Sequence, residues 1–162
     1  MAAKDLEARI QVLEDIEAIK KLKARYCYLV DGGQWQGVVK LFTKDAKINF
    51  PFPGVGAGKG IAAITTFYRE TLPSLRSFTL HMLHSPLIEV KGDKATGEWY
   101  FQSSSTVRST NKAQWGAGKY QDKFVKEADG WKFKERKVKS IYSTPYDEGW
   151  LKKRPKRHTL AK

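Results

Sequence analysis

At Pro73 the hydrophobic rhythm of this 162-residue chain changes. Before it, apolar residues recur at three- and four-residue steps, as along one face of a helix. After it they alternate, the period of a strand with one buried side. Ile16, Ile19, Leu22, Tyr26 and Leu29 carry the first pattern; Trp99, Phe101, Ser103, Ser105 and Val107 mark one side of the second. Helices first, then long strands joined at Gly92-Asp93 and Asp129-Gly130, predict an α+β fold. Strands of that length can curl into a cone-shaped barrel, with the N-terminal helices packed in the concave face of a mostly antiparallel sheet.

The helical half reads in pieces. Leu6, Ile10 and Leu13 mark a short amphipathic helix, and Asp15 is expected to cap a second. Acids at its start (Glu14, Asp15, Glu17) and bases after them suit the helix dipole, and Asp31-Gly32-Gly33 stops it. A helix over 34–41 and a strand over 46–50 follow. The glycine-rich stretch after Phe50 fails the P-loop spacing, and Gly60 stands where a Ser or Thr should hold magnesium. It reads as a turn or a pocket rim. Ile61, Ile64, Phe67, Tyr68 and Leu72 predict a third helix stopped by Pro73, followed by strands over 78–84, 87–91, 95–107, 115–125 and 131–142.

Composition narrows the class. The single cysteine, Cys27, excludes a disulfide framework and sits in a helical apolar pattern, as a small buried hydrophobe would. The opening stretch carries acids and lacks the apolar centre of a secretory signal, and no apolar run approaches the ~20 residues that span a bilayer. A cytoplasmic protein without a membrane partner is expected. The net charge is +13, and from Lys132 to Lys162 eleven Lys and Arg stand against three acids. Because Lys alternates with apolar residues there, a solvated face and a basic tail are expected rather than a nucleic-acid surface. One domain over 1–145 with a tail over 146–162 is the organisation predicted.

Three polar residues interrupt the apolar patterns: Tyr26 and Asp31 near the end of the long helix, and His81 in a strand. An imidazole steered by a carboxylate, with a phenol beside it, can move protons without metal or cofactor. Tyr26 and Asp31 stand five apart, roughly 140° around an ideal helix. Asp31 lies where the chain already turns and can swing toward the concave side. Local sequence equally allows it to solvate a helix end, and allows His81 to be a satisfied core residue. His81 and His84 could chelate a metal on a helix, but on a strand they face opposite ways, so no metal site is expected. Trp99, Phe101 and Ser103, then Gly116, Gly118, Tyr120 and Asp122, then Arg136, Val138 and Ser140, each share a strand face. As concave faces they would line a pocket with aromatic walls and a few hydroxyls; they suit plain core packing equally well.

The order Asp15-Ile16-Glu17-Ala18-Ile19, Arg25-Tyr26, Asp31-Gly32, Trp35 and Leu41-Phe42-Thr43-Lys44-Asp45-Ala46 resembles SnoaL-like proteins of the nuclear transport factor 2-like superfamily. His81-Met82-Leu83-His84-Ser85-Pro86, Gly97-Glu98-Trp99-Tyr100, Gly118-Lys119-Tyr120 and Asp129-Gly130-Trp131-Lys132 continue the resemblance over roughly residues 10–145. The pattern is closest to bile-acid 7α-dehydratase, and more distant from scytalone dehydratase and hexachlorocyclohexane dehydrochlorinase. The resemblance implies a cone fold, catalysis without a cofactor, and a homodimer or homotrimer packed through the outer sheet face. It assigns catalysis to Tyr26, Asp31 and His81. It also shows two departures: Ser103 stands where the bile-acid enzyme has a further aspartate, and Ser140 where it has an arginine.

The expected function is therefore a cofactor-independent lyase acting on a small hydrophobic alcohol, aromatic or steroid-like, with loss of water or another small fragment such as formaldehyde. Phe50, Trp99, Phe101, Ser103, Tyr120 and Ser140 are the expected substrate contacts. An isomerase of the ketosteroid type, or a ligand-binding module without catalysis, are the alternatives.

Overall fold

The computed structural model describes residues 3–52 and 54–152. Helix α1 (Ala3–Asp31) runs unbroken, followed by α2 (Trp35–Val39) and β1 (Phe42–Asn49). A short β2 (Ala57–Lys59) leads to α3 (Gly60–Thr66), a π-helical turn (Phe67–Thr71) and α4 (Leu72–Leu75). Four long strands follow: β3 (Arg76–Lys91), β4 (Lys94–Val107), β5 (Lys112–Glu127) and β6 (Gly130–Pro145), then α5 (Gly149–Lys152). They form one sheet in the order β2-β1-β6-β5-β4-β3, antiparallel except where β1 runs parallel to β6. The helices pack in its concave face. No helix among the described residues is long and apolar enough to cross a membrane.

Several boundaries differ from expectation, each for a physical reason. The two N-terminal helices are one. No glycine or proline separates Leu13 from Asp15, and Asp15 has better partners than a helix end. Its Oδ1 accepts bonds from the Trp131 indole Nε1 and from Lys126 Nζ, both at 2.8 Å. Pro73 does not stop the third helix but lies inside α4. A proline ring clashes with the carbonyl four residues back, and the widened π turn immediately before α4 takes up that clash. Strand β1 begins at Phe42, before the predicted 46. The strands expected at 78–84 and 87–91 are one, β3, with a register shift between His84 and Leu87 and Ser85 at φ 50°; Pro86 has no N–H to give to the ladder. Residues 146–152 of the expected tail pack on the sheet. Tyr146 stacks on Trp115 and Trp150 lies against Tyr142, both at 5.6 Å between centroids. Residues 153–162 lie outside the described residues.

The register of β3 to β6 sets the concave face in rows. From the end filled by helix α1 outward, these are Gly97–Asp122–Arg136, Trp99–Tyr120–Val138, Leu83–Phe101–Gly118–Ser140, His81–Ser103–Gly116–Ser143 and Thr79–Ser105–Gln114. Large buried side chains occupy the first two rows. Serines and glycines dominate the rest, and there the cone stays open. Gly118 marks the change: a Cβ there would come within 2.2 Å of the Lys139 carbonyl and 2.8 Å of the Phe101 ring, so no side chain can stand at that position.

Candidate functional site

Asp31 is the last residue of α1, and its carboxylate does turn toward the sheet. Oδ2 accepts the His81 backbone N–H at 2.9 Å, and Oδ1 accepts the Thr79 hydroxyl at 3.3 Å. Oδ1 also lies 2.6 Å from His81 Nδ1. In the tautomer that donates Nδ1–H to this carboxylate, the lone pair lies on Nε2. Gly32 and Gly33 let the chain leave the helix at this point, Gly33 at φ 66°, which leaves the aspartate at the rim rather than under a further turn.

His81 lines a cavity of about 210 Å³. Phe50, Phe52 and Phe101 wall it, with Tyr26 and Tyr120 at its closed end and hydroxyls from Ser103, Ser105, Ser140 and Ser143 along the sheet side. Ser103 stands opposite His81 on β4. Ser140 and Ser143 are exposed, so the cavity opens on the β6 side. The Phe50 ring stacks on Phe67 at 4.7 Å, and Pro51 and Phe52 at the start of the following loop line the cavity, while the loop's glycines do not.

Tyr26 is buried and accepts the Tyr68 hydroxyl at 3.2 Å, which leaves its own proton to donate. Burial raises its pKa, so the phenol stays protonated. Its ring lies 3.6 Å from the Arg136 guanidinium carbon. Burial also pushes the Cys27 thiol up to about 11, as fits an inert buried cysteine.

Of the nine residues expected at the site, seven line this cavity, and Asp31 reaches it through His81. Trp99 does not line it. Gly97 leaves a notch beside Trp99, and the indole fills it so closely that a Cβ there would sit 2.4 Å from the ring. The indole therefore turns toward Phe124, away from the cavity, in a T-shaped contact at 6.0 Å. His84 lies on the exposed outer face opposite Tyr100, as strand alternation predicts.

Two features escaped sequence reading. One is a buried ionic cluster beneath the cavity floor. Asp122 accepts bonds from Lys23 Nζ at 2.7 Å and from Arg136 Nε at 3.0 Å and Nη2 at 3.1 Å, with all three side chains fully buried. Lys23 Nζ lies 3.3 Å from the Tyr120 ring centroid, and the one unpaired nitrogen, Arg136 Nη1, lies among aromatic rings. The signal was available: Lys23 falls between Ile19 and Tyr26 on the apolar face of α1. The other is Arg76, a half-buried cation at the start of β3 that lines the cavity. Nothing in its local pattern distinguishes it from a surface arginine.

A family model described as a SnoaL-like domain matches residues 11–137. Among solved structures, a candidate scytalone dehydratase from Novosphingobium aromaticivorans DSM 12444 superposes with a TM-score of 0.74 at 22% identity, over 83% of this chain and 89% of that one. A type 3 hexachlorocyclohexane dehydrochlorinase from Novosphingobium barchaimii LL02 gives 0.70 at 19% identity, over 89% and 94%. A nuclear transport factor 2-like protein with a cystatin-like fold, from N. aromaticivorans, gives 0.65 at 25% identity, over 94% and 95%. The superpositions establish a shared cone fold, and the match over residues 11–137 places the chain in the SnoaL-like domain family.

Proposed function

We propose that this protein is a cofactor-independent lyase that uses His81 as its base. One observation carries the reading: Asp31 lies 2.6 Å from His81 Nδ1, on a ring whose other nitrogen belongs to a cavity wall. His81 Nε2 takes a proton from carbon beside an activating group. The freed electron pair forms a double bond as the neighbouring hydroxyl departs, taking the Tyr26 proton to leave as water. A positioned base contributes roughly 10²–10⁴-fold. A fixed donor at the developing oxygen charge adds roughly 10²–10³-fold.

The substrate is a small aromatic alcohol. A cavity of about 210 Å³ falls below the roughly 300–1,000 Å³ of sites for drug-sized ligands, which favours one ring over a steroid nucleus. Loss of formaldehyde instead of water fits the same walls. Isomerisation would use the same base and return the proton to another carbon.

The test is turnover of a panel of arylalkanols followed by product mass. Loss of the mass of water or formaldehyde supports elimination; an unchanged mass assigns an isomerase. Full turnover by purified His81→Ala on an identified substrate would sink the reading.

The same family resemblance implies self-association. Phe78, Leu80, Met82 and Tyr100 form an exposed apolar patch on the outer face of β3 and β4. Light scattering should show a dimer or trimer, and Leu80→Glu with Met82→Glu should release monomer. A monomeric wild type counts against it.

A further inference from the structure

Beyond the His81 row, the cavity wall ends in Arg76 and Gln114, a guanidinium and an amide that bond to each other. Arg76 Nη2 donates to Gln114 Oε1 at 2.9 Å and Nη1 to the Leu75 carbonyl at 3.2 Å. The guanidinium carbon lies 5.6 Å from the Phe52 ring centroid, so an aromatic wall holds the group in place. A guanidinium carries five N–H donors and no acceptor. Because the Gln114 oxygen already faces Arg76, its amide nitrogen is the end left to donate. Both residues line the cavity.

No Asp or Glu among the described residues forms an ion pair with Arg76. Burial alone shifts its pKa, downward, with no carboxylate opposing that shift. Arg136 makes the contrast: it is more deeply buried, and Asp122 holds its pKa up. No Asp or Glu among the described residues lines the cavity, and Asp31, at the end of α1 behind His81, is already engaged by His81 and Thr79. Arg76 is thus a cation facing a cavity in which the protein supplies no anion for it.

The register supplies a ruler. Gln114 lies on β5 two residues from Gly116, which shares a row with Ser103 and His81. Two strand residues span roughly 7 Å, about the length of a benzene ring with its para substituents.

We infer that Arg76 and Gln114 anchor an anionic oxygen of the substrate, one aromatic ring away from the carbon that His81 attacks. The substrate class is then an aromatic alcohol whose ring carries, on the side away from the reacting carbon, a carboxylate or an ionised phenol. The inference deepens the lyase reading and rests on it for the position of the reacting carbon. The anchor itself is tested by binding, without turnover.

Calorimetric titration with 4-ethylbenzoate and its uncharged counterpart 4-ethylbenzamide reads the anchor directly. Wild type should prefer the benzoate. Arg76→Met should weaken benzoate binding roughly 10- to 100-fold, the range of hydrogen bonds to a charged group, and leave benzamide within about threefold. Gln114→Glu sets a carboxylate against the guanidinium and should remove the preference while the fold, checked by thermal melting, persists. 4-Nitrophenol, whose ionised form has its own absorbance, separates the two oxygen classes. Enrichment of the ionised form on binding points to a phenolate; binding of benzoate alone points to a carboxylate. Equal or absent binding of benzoate and benzamide by wild type overturns the anchor, as does equal weakening of both by Arg76→Met. His81→Ala should keep the benzoate preference. Full turnover by His81→Ala with the preference intact would sink the base and keep the anchor; an inactive His81→Ala with no benzoate preference in wild type would sink the anchor and keep the base.

Discussion

The two ends of the cone each hold a carboxylate with three donors, and they behave as opposites. At the narrow end Asp122 meets Lys23 and Arg136, fully buried beneath aromatic rings. At the wide end Asp31 meets His81 twice and Thr79 once, with side chains 17% and 14% exposed for Asp31 and His81. The narrow cluster keeps one unpaired donor, Arg136 Nη1, but all of its side chains are sealed away from any ligand. The wide one ends in an imidazole on a cavity wall, with Nε2 outside the hydrogen bonds of the cluster. A buried charge cluster is thus a poor guide to a site unless one member keeps both a free valence and access. Removing one partner from the sealed cluster strands the others; removing one from the open cluster lets water replace it.

The first way to break this comparison is to delete each carboxylate. Asp122→Ala should destabilise by about 3–5 kcal/mol, since it leaves two buried cations without their anion. Asp31→Ala should lower stability by only about 1–3 kcal/mol and yet lower turnover as far as His81→Ala does. Denaturant melts of both variants decide it: equal losses would make the dyad a structural tie.

Next comes acidity. Arg136 and Asp122 neutralise each other, so Lys23 is the surplus cation, and burial with the Arg136 charge lowers its pKa to about 7. An unfolded lysine titrates near 10.4. Between those values the unfolded chain holds the extra proton, so stability rises with pH across the window, by up to about 1.4 kcal/mol per pH unit. The gain is lost as pH falls to 7. Lys23→Met should flatten this slope. An unchanged slope would mean that Lys23 stays charged in its aromatic cage.

The smallest effect sharpens the boundary between the two ends. Trp99→Phe should lower stability by about 1–3 kcal/mol through lost packing and leave ligand affinity unchanged. Phe101→Leu, one row outward, should weaken aromatic ligands by a few-fold. Equal effects on affinity would move the cavity floor a row deeper than the structure places it.

How much of this was legible beforehand differs by residue. Strand alternation correctly put Phe101, Ser103, Tyr120 and Ser140 on one face, and put His84 on the other. It also put Trp99 on the inner face, and failed only over which way the indole leans, because that depends on the notch at Gly97. The helix break at Asp15 was misread because a capping residue and a buried hydrogen-bond acceptor look alike in one dimension. The spacing of Lys23 from Ile19 and Tyr26 marks its place on the apolar face of α1, whereas nothing in the local pattern around Arg76 records what packs over it.

The sequence by itself determined the change of period at Pro73, the glycine stop after Asp31 and the alternation of the long strands. Those features act over a few residues of backbone, where steric and periodic rules suffice. Only the tertiary structure decided that Asp31 reaches a histidine fifty positions away. It alone sealed Lys23 and Arg136 and left Arg76 facing an open cavity. Burial and charge pairing belong to the packed sheet and helix together, and free energies of desolvation exist only once the water has been excluded.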